Sequence, residues 1–443
     1  MLTTPAEIRT LQRKLYTKAK QEPAYRFYAL YDKIWRADVL AFAYRLVRAN
    51  KGSPGIDGLT FEALEQTIGV EKFLLDLTCE LKSKTYRADP VRRVMIPKKD
   101  GSMRLLGIPT IRDRVAQMSV KLIIEPIFEA DFCDNSYGFR PKRSAHQAIA
   151  NIGLALHQGY TNVIDADLSK YFDSIPHAKL LSVVAERIVD GAILHLIKLW
   201  LKAPVIEDDK GKKTHVGGGK ANNRGTPQGG IISPMLANCY LHILDRIWDR
   251  QALRKKYKAH IVRYADDFVV LCKGSVDKPL AAIRHVLSRL ELTLNETKTH
   301  IVDARKTSFK FLGFEISEGR SWKTGNRYIH TCPSKESLAK IKMKLKERTA
   351  RNLTPLPLSI IVEGMNASLR GWANYFHYGN SSQAMGQIRT FAEERLRIRL
   401  MNRHKVKDRG IGEGRFHSQR LYTRYGLYKV PTTAGWKSAH ASV

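Results

Sequence analysis

The chain has 443 residues, enough for two or three domains with substantial hydrophobic cores. It contains 75 lysines and arginines against 42 acidic residues, a formal net charge of +33, which favours a polyanionic partner such as nucleic acid. No apolar run approaches the ~18 residues of a membrane span, no signal-peptide pattern opens the chain, and the five scattered cysteines include no Cys-x-x-Cys pair. These observations argue against a membrane protein, a disulfide-bonded scaffold and a cysteine-based zinc site, and they predict a cytoplasmic protein with no membrane partner.

In chain order, the first 50 residues are predicted to form helices. Basic side chains lie among their apolar positions: Lys18, Lys20, Arg26 and Arg45. Further along, residues 162–168 predict a strand with alternating faces. One face carries Ile164, Ala166 and Leu168, and the other carries Asp165 and Asp167. Residues 207–225 are polar and glycine-rich, which predicts an exposed hairpin or a flexible loop.

The next element is a predicted β-hairpin that contains Tyr264-Ala265-Asp266-Asp267. Apolar runs at 261–262 and 268–271 flank this short polar break, so that Asp266 and Asp267 are placed at the hairpin tip. Adjacent carboxylates repel each other and need a cation, and hard oxygen ligands suit Mg²⁺. The alternative is an ordinary Asp-Asp turn at the surface.

If the two predicted elements are neighbours, Asp167 meets Asp266 and Asp267, and the three carboxylates can hold two Mg²⁺ ions. Such a metal pair can activate an attacking hydroxyl and stabilise a leaving phosphate oxygen. Asp165 and Asp173 are alternative ligands. Phe172 favours Asp167, because a ring five residues further on can lie against a nucleotide sugar, where the 2′-hydroxyl distinguishes the two sugars.

The last 123 residues are especially basic, with 23 lysines and arginines against 7 acidic residues. Their net charge of +16 is about half of the total, and its density favours contact with nucleic acid. The basic clusters are Lys340, Lys342, Lys344, Lys346 and Arg348, and then Arg395, Arg397, Arg399, Arg403, Lys405 and Lys407. Between them an apolar stripe predicts an amphipathic helix, at Leu358, Ile361, Val362, Met365 and Leu369.

Taken together, these segments resemble the group II intron reverse transcriptases, also called intron-encoded proteins or maturases, across nearly the whole chain. The matching segments follow the family's order. They are residues 52–58, 96–104, 135–141, the Asp167 strand, 224–230 with 232–234, the Tyr264 hairpin, 294–298 and 311–314. The resemblance implies RNA-directed DNA synthesis and an α+β right-hand polymerase with a helical thumb.

The domains that the resemblance implies are an N-terminal helical extension (1–50), fingers with part of the palm (51–160), the palm (161–320) and a basic helical thumb or maturase domain (321–443). The implied partners are an RNA template, a DNA primer, deoxynucleoside triphosphates and group II intron RNA. Two Mg²⁺ ions are the expected cofactors, with Mn²⁺ as a substitute and the backbone carbonyl of Leu168 as a further ligand.

Within that frame, several side chains take expected roles around the nucleotide. Lys98 and Arg104 flank a turn and would project from a fingers hairpin onto the triphosphate. Gln228 lies in a loop bounded by glycine and proline that allows close approach to the nascent base pair. The resemblance suggests that Lys298 approaches the leaving pyrophosphate. For Lys98, Arg104 and Lys298, ordinary solvated cations are the alternative.

The resemblance also implies nucleic-acid contacts near the C-terminal side. Phe311, Leu312 and Gly313 look like the family's primer grip, although Phe311 suits the palm core equally well. Residues 369–376 resemble the maturase signature, with Arg370, Trp372 and Tyr375 as candidate contacts to RNA or duplex. For the aromatic residues, packing ranks ahead of base stacking.

The late histidines are widely spaced and no cysteine follows Cys332, so we expect no C-terminal metal-dependent endonuclease. A primer would then come from elsewhere, such as an existing nick. Three other interpretations stay open. They are a domesticated relative serving host defence or CRISPR spacer acquisition, a splicing cofactor without needed polymerase activity, and an RNA polymerase, which Phe172 disfavours.

Overall fold

The computed structural model describes residues 2–97, 101, 103–209, 212–250 and 252–435. Its first part contains α1 (Ala6–Gln21), α2 (Tyr31–Ile34), α3 (Ala37–Ala49), α4 (Phe61–Thr67), α5 (Val70–Lys82), β1 (Val91–Pro97), β2 (Met103–Ile108), α6 (Ile111–Glu129) and α7 (Ala145–His157). The predicted N-terminal helices are thus confirmed as α1 to α3. No helix within the described ranges combines the length and the apolar character needed to cross a membrane.

The middle of the chain holds most of the strands. It contains β3 (Asn162–Ala166), α8 (Tyr171–Ser174), α9 (His177–Ala185), α10 (Gly191–Leu201), β4 (Val205–Asp209), β5 (Lys212–Gly217), α11 (Ser233–Arg250), α12 (Leu253–Lys256), β6 (Ala259–Tyr264), β7 (Asp267–Cys272), α13 (Asp277–Arg289), β8 (His300–Asp303), β9 (Phe309–Phe311), β10 (Phe314–Arg320) and β11 (Arg327–Pro333). The remaining elements are α14 (Lys335–Arg348), α15 (Leu358–Phe376), α16 (Ser382–Arg403), α17 (Arg409–Arg415) and α18 (Ser418–Thr423).

A four-stranded antiparallel sheet in the order β6-β7-β3-β8 lies at the centre. Both of its faces are covered, because the side chains of β6 and β7 are buried in either direction. Ile164 and Val270 join one core, which includes α6 and α11, whereas Val163 and Val269 join a second core with α7. A sheet buried on both faces is rigid, which suits strands whose ends carry functional side chains.

A second sheet in the order β2-β1-β4-β5 forms the fingers-like part. The β1–β2 pair is the predicted hairpin between residues 96 and 104. Strands β4 and β5 pair antiparallel, which agrees with the hairpin alternative for the first part of the predicted segment 207–225. The parallel pairing of β4 with β1, from Val91–Val205 to Arg93–Glu207, was not predicted, because parallel partners distant in sequence leave no local pattern.

A third sheet, β9-β10-β11, connects the palm-like sheet to the C-terminal helices. The apolar stripe predicted at 358–369 lies on α15 and packs into a separate helical core with α14 and α16. The predicted mixed helix and sheet class is therefore confirmed. The predicted boundary at 320/321 falls at the tip of the β10–β11 hairpin, and helices begin only at Lys335. The division into domains stays a prediction.

Candidate active site

Two strand ends bring the predicted carboxylates together. The pairs from Ala259–Cys272 to Tyr264–Asp267 form the predicted hairpin, and Ala265 adopts a left-handed conformation (φ 58°) at its two-residue turn. Strand β3 runs antiparallel to β7, and their last pair is Ala166–Phe268. Asp167 follows this last pair by one residue, and its charge acts on the Asp267 carboxyl group.

The pKa values of these carboxyl groups are raised. Burial raises the pKa of Asp267 to about 7, and the neighbouring charges of Asp266, Asp167 and Asp165 add to the effect. Burial and then the charge of Asp167 raise the pKa of Asp266. The Asp267 side chain still reaches the surface of the cleft. The cluster therefore carries unfavourable negative charge in partly desolvated surroundings, which a cation would offset.

The donor set fits a divalent metal ion of the hard class. Carboxylates converging from two strands supply the oxygen ligands that Mg²⁺ prefers. In the part of the chain that the structure describes, no three Asp, Glu, His or Cys side chains are already gathered at metal-binding spacing. Asp165 lies opposite His300, and Asp173 accepts weak hydrogen bonds from Gln228. The charge of Asp165 also acts on Asp267, so both alternative ligands stay open as predictions.

A buried ion pair beneath the hairpin was not predicted from the sequence. The side chains of Arg263 and Asp245 are both 0% exposed, and the Arg263 Nε donates to Asp245 Oδ2 at 3.0 Å. The Arg263 Nη1 also donates to the backbone carbonyl of Ala265 and to Asn238 Oδ1, both at 2.9 Å. One guanidinium therefore connects α11 directly to the turn that carries Asp266. The available signal was a lone arginine within an otherwise apolar strand run.

Gly138 packs directly against the same turn. A Cβ added at Gly138 would lie 2.3 Å from the backbone nitrogen of Ala265, closer than real Cβ contacts. The Gly138 carbonyl also accepts a hydrogen bond from Asn238 Nδ2 at 2.6 Å. The 135–141 segment therefore packs against the hairpin turn. The absence of a side chain at Gly138 allows its backbone to approach the backbone of Ala265 closely.

We expect Gly138→Ala to lower synthesis about a hundredfold, because displacing a reacting group by about 1 Å costs that much. Overpacking should also lower the free energy of unfolding by about 1–3 kcal/mol. Primer extension and thermal unfolding measure the two effects. Gly153→Ala is the matched control, since nothing lies within 4 Å of its added Cβ in α7; wild-type extension in Gly138→Ala would contradict the packing argument.

Phe172 and Gln228 lie on one wall of the cleft. The ring of Phe172 packs against the core and lies edge-on to Tyr171, with centroids 5.5 Å apart. Its carbonyl accepts from the nitrogen of Thr226 at 2.7 Å, and the carbonyl of Gln228 accepts from the nitrogen of Gly107 at 2.6 Å. The Gln228 loop thus connects the Phe172 helix to fingers strand β2. A cavity of about 260 Å³ beside it is lined by Arg93, Gly107, Asp173, Arg224 and Gln228, among others.

The fingers hairpin brings Arg104 towards the carboxylates. Arg104 is exposed on β2, and its positive charge opposes the raised pKa values of both Asp266 and Asp267. Lys98 lies outside the described residues. Lys298 lies in an exposed turn whose Asn295 nitrogen donates to the carbonyl of Asp167 at 2.8 Å. The turn is therefore attached to the Asp167 strand end, and the phosphate roles of these cations stay predictions. The role of the Leu168 carbonyl as a metal ligand also stays a prediction. Leu168 forms an isolated β-bridge with Leu294.

The segment predicted as a primer grip forms the tight turn between β9 and β10. Leu312 (φ 50°) and Gly313 (φ 82°) both have left-handed backbone. Phe311 is buried in the core, the alternative that the sequence left open. The Leu312 carbonyl accepts from the Tyr375 hydroxyl at 3.0 Å. The turn is thus held by the helical part of the chain.

The maturase-like segment lies at the C-terminal end of α15. Trp372 is only 9% exposed and packs in the helical core, so that packing is its evident role. Tyr375 is half-buried against Phe314 and Phe376. Arg370 is exposed and lies over the Tyr428 ring at 5.5 Å. Their contacts with RNA or duplex stay predictions.

Three arginines of the second basic cluster are bonded within the protein. Arg395 donates to Thr349 Oγ1 at 3.0 Å, Arg397 to the Phe416 carbonyl at 3.2 Å and Arg399 to the Ala350 carbonyl at 2.9 Å. Nucleic-acid contact was favoured for the whole cluster, whereas these three hold turns and helix ends together. Arg403, Lys405 and Lys407 are exposed.

Comparison with known proteins decides the family. Residues 96–316 match the family model described as reverse transcriptase (RNA-dependent DNA polymerase). Residues 338–415 match the group II intron maturase-specific domain. The chain belongs to the group II intron reverse transcriptase and maturase family. A member of this family is an RNA-directed DNA polymerase, a class that works with divalent metal ions.

Individual relatives agree with this assignment. Protein YkfC of Escherichia coli (strain K12) is 36% identical over 74% of this chain and 93% of its own length. Group II intron-encoded protein LtrA of Lactococcus lactis subsp. cremoris is 32% identical over 67% of this chain. The chain spans only 57% of the length of LtrA. A solved partial Cas6-RT-Cas1–Cas2 complex is 23% identical over 58% of this chain and 42% of that chain, with a TM-score of 0.34, too low to carry an argument.

Proposed function

We propose that this chain copies an RNA template into DNA by two-Mg²⁺ nucleotidyl transfer centred on Asp167, Asp266 and Asp267. One observation supports this most: two strand ends and a buried arginine network converge on three carboxylates that lie inside a reverse transcriptase region. The +33 charge suits a duplex partner.

In this mechanism Asp167, Asp266 and Asp267 would hold the metal ions, and bound metal would supply activation of the primer 3′-hydroxyl and neutralisation of the triphosphate charge. The hydroxyl oxygen attacks the α-phosphate of a deoxynucleoside triphosphate, and pyrophosphate leaves. Arg104 lies where its charge can meet the triphosphate. Phe172 limits the space at the sugar, and Gln228 lies beside the nascent base pair. Two further cations take part in this proposal: Lys298 approaches the leaving pyrophosphate, and Lys98 contacts the triphosphate. The Leu168 carbonyl is a further metal ligand, and the Leu312 turn holds the primer 3′ end.

We further propose that the chain binds group II intron RNA to assist splicing and mobility. The maturase-specific region at 338–415 supports this second role. The exposed cations of α14, among them Lys340 and Lys344, and exposed Arg370 offer contacts for the phosphate backbone. Use of Mn²⁺ in place of Mg²⁺ and a cytoplasmic location belong to the same proposal.

The test is primer extension on an RNA template with Mg²⁺ and either deoxynucleotides or ribonucleotides. The wild type should extend with deoxynucleotides only, and chelation of the metal should stop it. Phe172→Ala should raise ribonucleotide use about tenfold or more, because the space that excludes the 2′-hydroxyl is opened. Tyr171→Phe is a control, since Tyr171 is buried with its hydroxyl on the Ala237 carbonyl. Unchanged selectivity in Phe172→Ala would remove Phe172 from the sugar site.

A further inference from the structure

The turn between β10 and β11 carries a tryptophan whose side chain is exposed to solvent. Trp322 is 88% exposed, more than any other large apolar side chain in the described ranges. Large aromatic side chains are usually buried at least in part, so this exposure needs an explanation.

The turn that carries Trp322 is well bonded internally. The nitrogen of Ser321 donates to the Asn326 carbonyl, and the nitrogen of Gly325 donates to the Ser321 carbonyl, both at 2.8 Å. The nitrogen of Thr324 also donates to Ser321 Oγ at 3.3 Å. A structured turn therefore presents the indole at little further entropic cost to binding.

Positive charge surrounds the indole. Arg320, Lys323 and Arg327 are exposed on the same tip, and the Lys323 Nζ lies 5.2 Å from the Trp322 ring centroid. Glu318, the acidic residue nearest the tip, forms an ion pair with Arg327 at 3.3 Å. The tip therefore combines a highly exposed indole, with Lys323 over its ring, and excess cationic charge.

A neighbouring segment adds to this charge. The nitrogen of Glu318 donates to the Ala304 carbonyl at 2.8 Å, which places exposed Arg305 and Lys306 alongside β10. Of these two, Arg305 pairs with Asp303 at 2.9 Å. Such a surface is complementary to a polyanion rather than to an acid-poor protein surface.

The tip is also far from the primer-grip turn. Strand β10 spans seven residues from Phe314 to Arg320, and at about 3.3 Å per residue the tip lies roughly 20 Å from Gly313. A ligand at Trp322 is therefore not the primer 3′ end that the Leu312 turn is proposed to hold.

We infer that this tip, Trp322 with Arg320, Lys323 and Arg327, is a separate binding site for an unpaired stretch of RNA. One base stacks on the indole, and the cations contact the flanking phosphates. A duplex is disfavoured, because its bases are already stacked on each other. The inference rests on the proposed function in that the chain works on RNA.

The test uses the full chain with its cleft already filled by an RNA–DNA template–primer duplex. The probes are a labelled 12-nucleotide single-stranded oligoribonucleotide and the corresponding RNA duplex. Trp322→Ala should weaken binding of the single strand about tenfold, the effect of one lost stacked base, and Trp322→Phe should retain part of it. Leu75→Ala is the matched control, an apolar side chain 63% exposed on α5.

The salt dependence of the affinity distinguishes base stacking on Trp322 from phosphate contacts with the cations. The loss in Trp322→Ala should be the same at every salt concentration, because stacking releases no counterions. The double variant Arg320→Ala/Lys323→Ala should instead reduce the slope of log affinity against log salt by about 1.4, or about 0.7 for each lost phosphate contact to a single strand. Wild-type tryptophan fluorescence should be quenched by the single strand, and Trp322→Phe should lose that quenching.

Several outcomes overturn the inference: equal loss of the duplex and single-strand probes, quenching that persists in Trp322→Phe, or unchanged affinity in Trp322→Ala. A change in sedimentation of Trp322→Ala would assign the tip to contact between copies of the chain and would also overturn it. Primer extension is followed in parallel. If primer extension is normal and Trp322→Ala does not change single-strand affinity, only this binding site is rejected. If the single strand binds through Trp322 but no primer is extended, only the polymerase proposal is rejected.

Discussion

Asp266→Asn and Asp267→Asn should each reduce primer extension roughly a thousandfold or more, because each removes a charged oxygen that we propose as a metal ligand. Affinity for the template–primer duplex should change little, since binding is carried by cations spread over the chain. Steady-state extension and a filter-binding measurement on the same preparations separate the two quantities.

The matched control for these variants is Asp134→Asn. Its carboxylate side chain is 95% exposed and pairs with Arg143 at the surface, so wild-type extension is expected. Full activity in either Asp266→Asn or Asp267→Asn would remove the carboxylates from the mechanism. Loss of duplex binding along with activity would instead point to a folding defect.

The second large effect is expected at the buried Arg263–Asp245 pair. Arg263→Met alone leaves Asp245 buried without its partner, which should lower the free energy of unfolding by about 3–5 kcal/mol. The double variant Arg263→Met/Asp245→Leu should recover most of that loss, because an apolar pair can replace a buried ion pair. Its kcat should nevertheless fall about a hundredfold, since the Ala265 carbonyl loses its donor and the hairpin tip shifts.

Two readouts distinguish this positioning role from simple support of the fold. The Mg²⁺ concentration for half-maximal extension should rise in the double variant, while the KM for template–primer stays near the wild-type value. Thermal unfolding shows whether the double variant is folded. A folded double variant with wild-type kcat and an unchanged Mg²⁺ requirement would show that Arg263 serves stability only.

The local parts of the site could be predicted from the sequence, because their signals lie within a few residues. Alternation around Asp165 and Asp167, and the apolar runs around the Asp266 turn, give the strand faces and the hairpin directly. The proximity of Asp167 to Asp266 and Asp267 was predicted on the assumption that the strand and the hairpin are neighbours in the sheet. The α15 helix was predicted for the same reason, from a stripe of 3.6-residue period.

Features that depend on distant pairs could not be predicted in this way. The parallel pairing of β1 with β4 joins residues more than a hundred positions apart. The contacts from Arg263 to Asp245 and Asn238 cross from a strand to a helix. Arg399 was placed in a nucleic-acid surface by charge density alone, whereas in the structure it donates to the partly buried Ala350 carbonyl. The number of charged residues in a segment does not show which face of a helix packs against the rest of the protein.

The Leu312–Gly313 turn has a consequence for how this protein can be divided. The two matched family regions end and begin at residues 316 and 338, as if a polymerase and a maturase were separate modules. Yet the Leu312 carbonyl is bonded by Tyr375, and the Gly313 carbonyl accepts from the Ser334 nitrogen at 2.9 Å. A left-handed leucine is costly by itself, so these donors hold it in place. The Tyr375 hydroxyl therefore bonds the second matched region to a turn of the first, and a chain cut between the two regions would leave the Leu312 carbonyl without this donor.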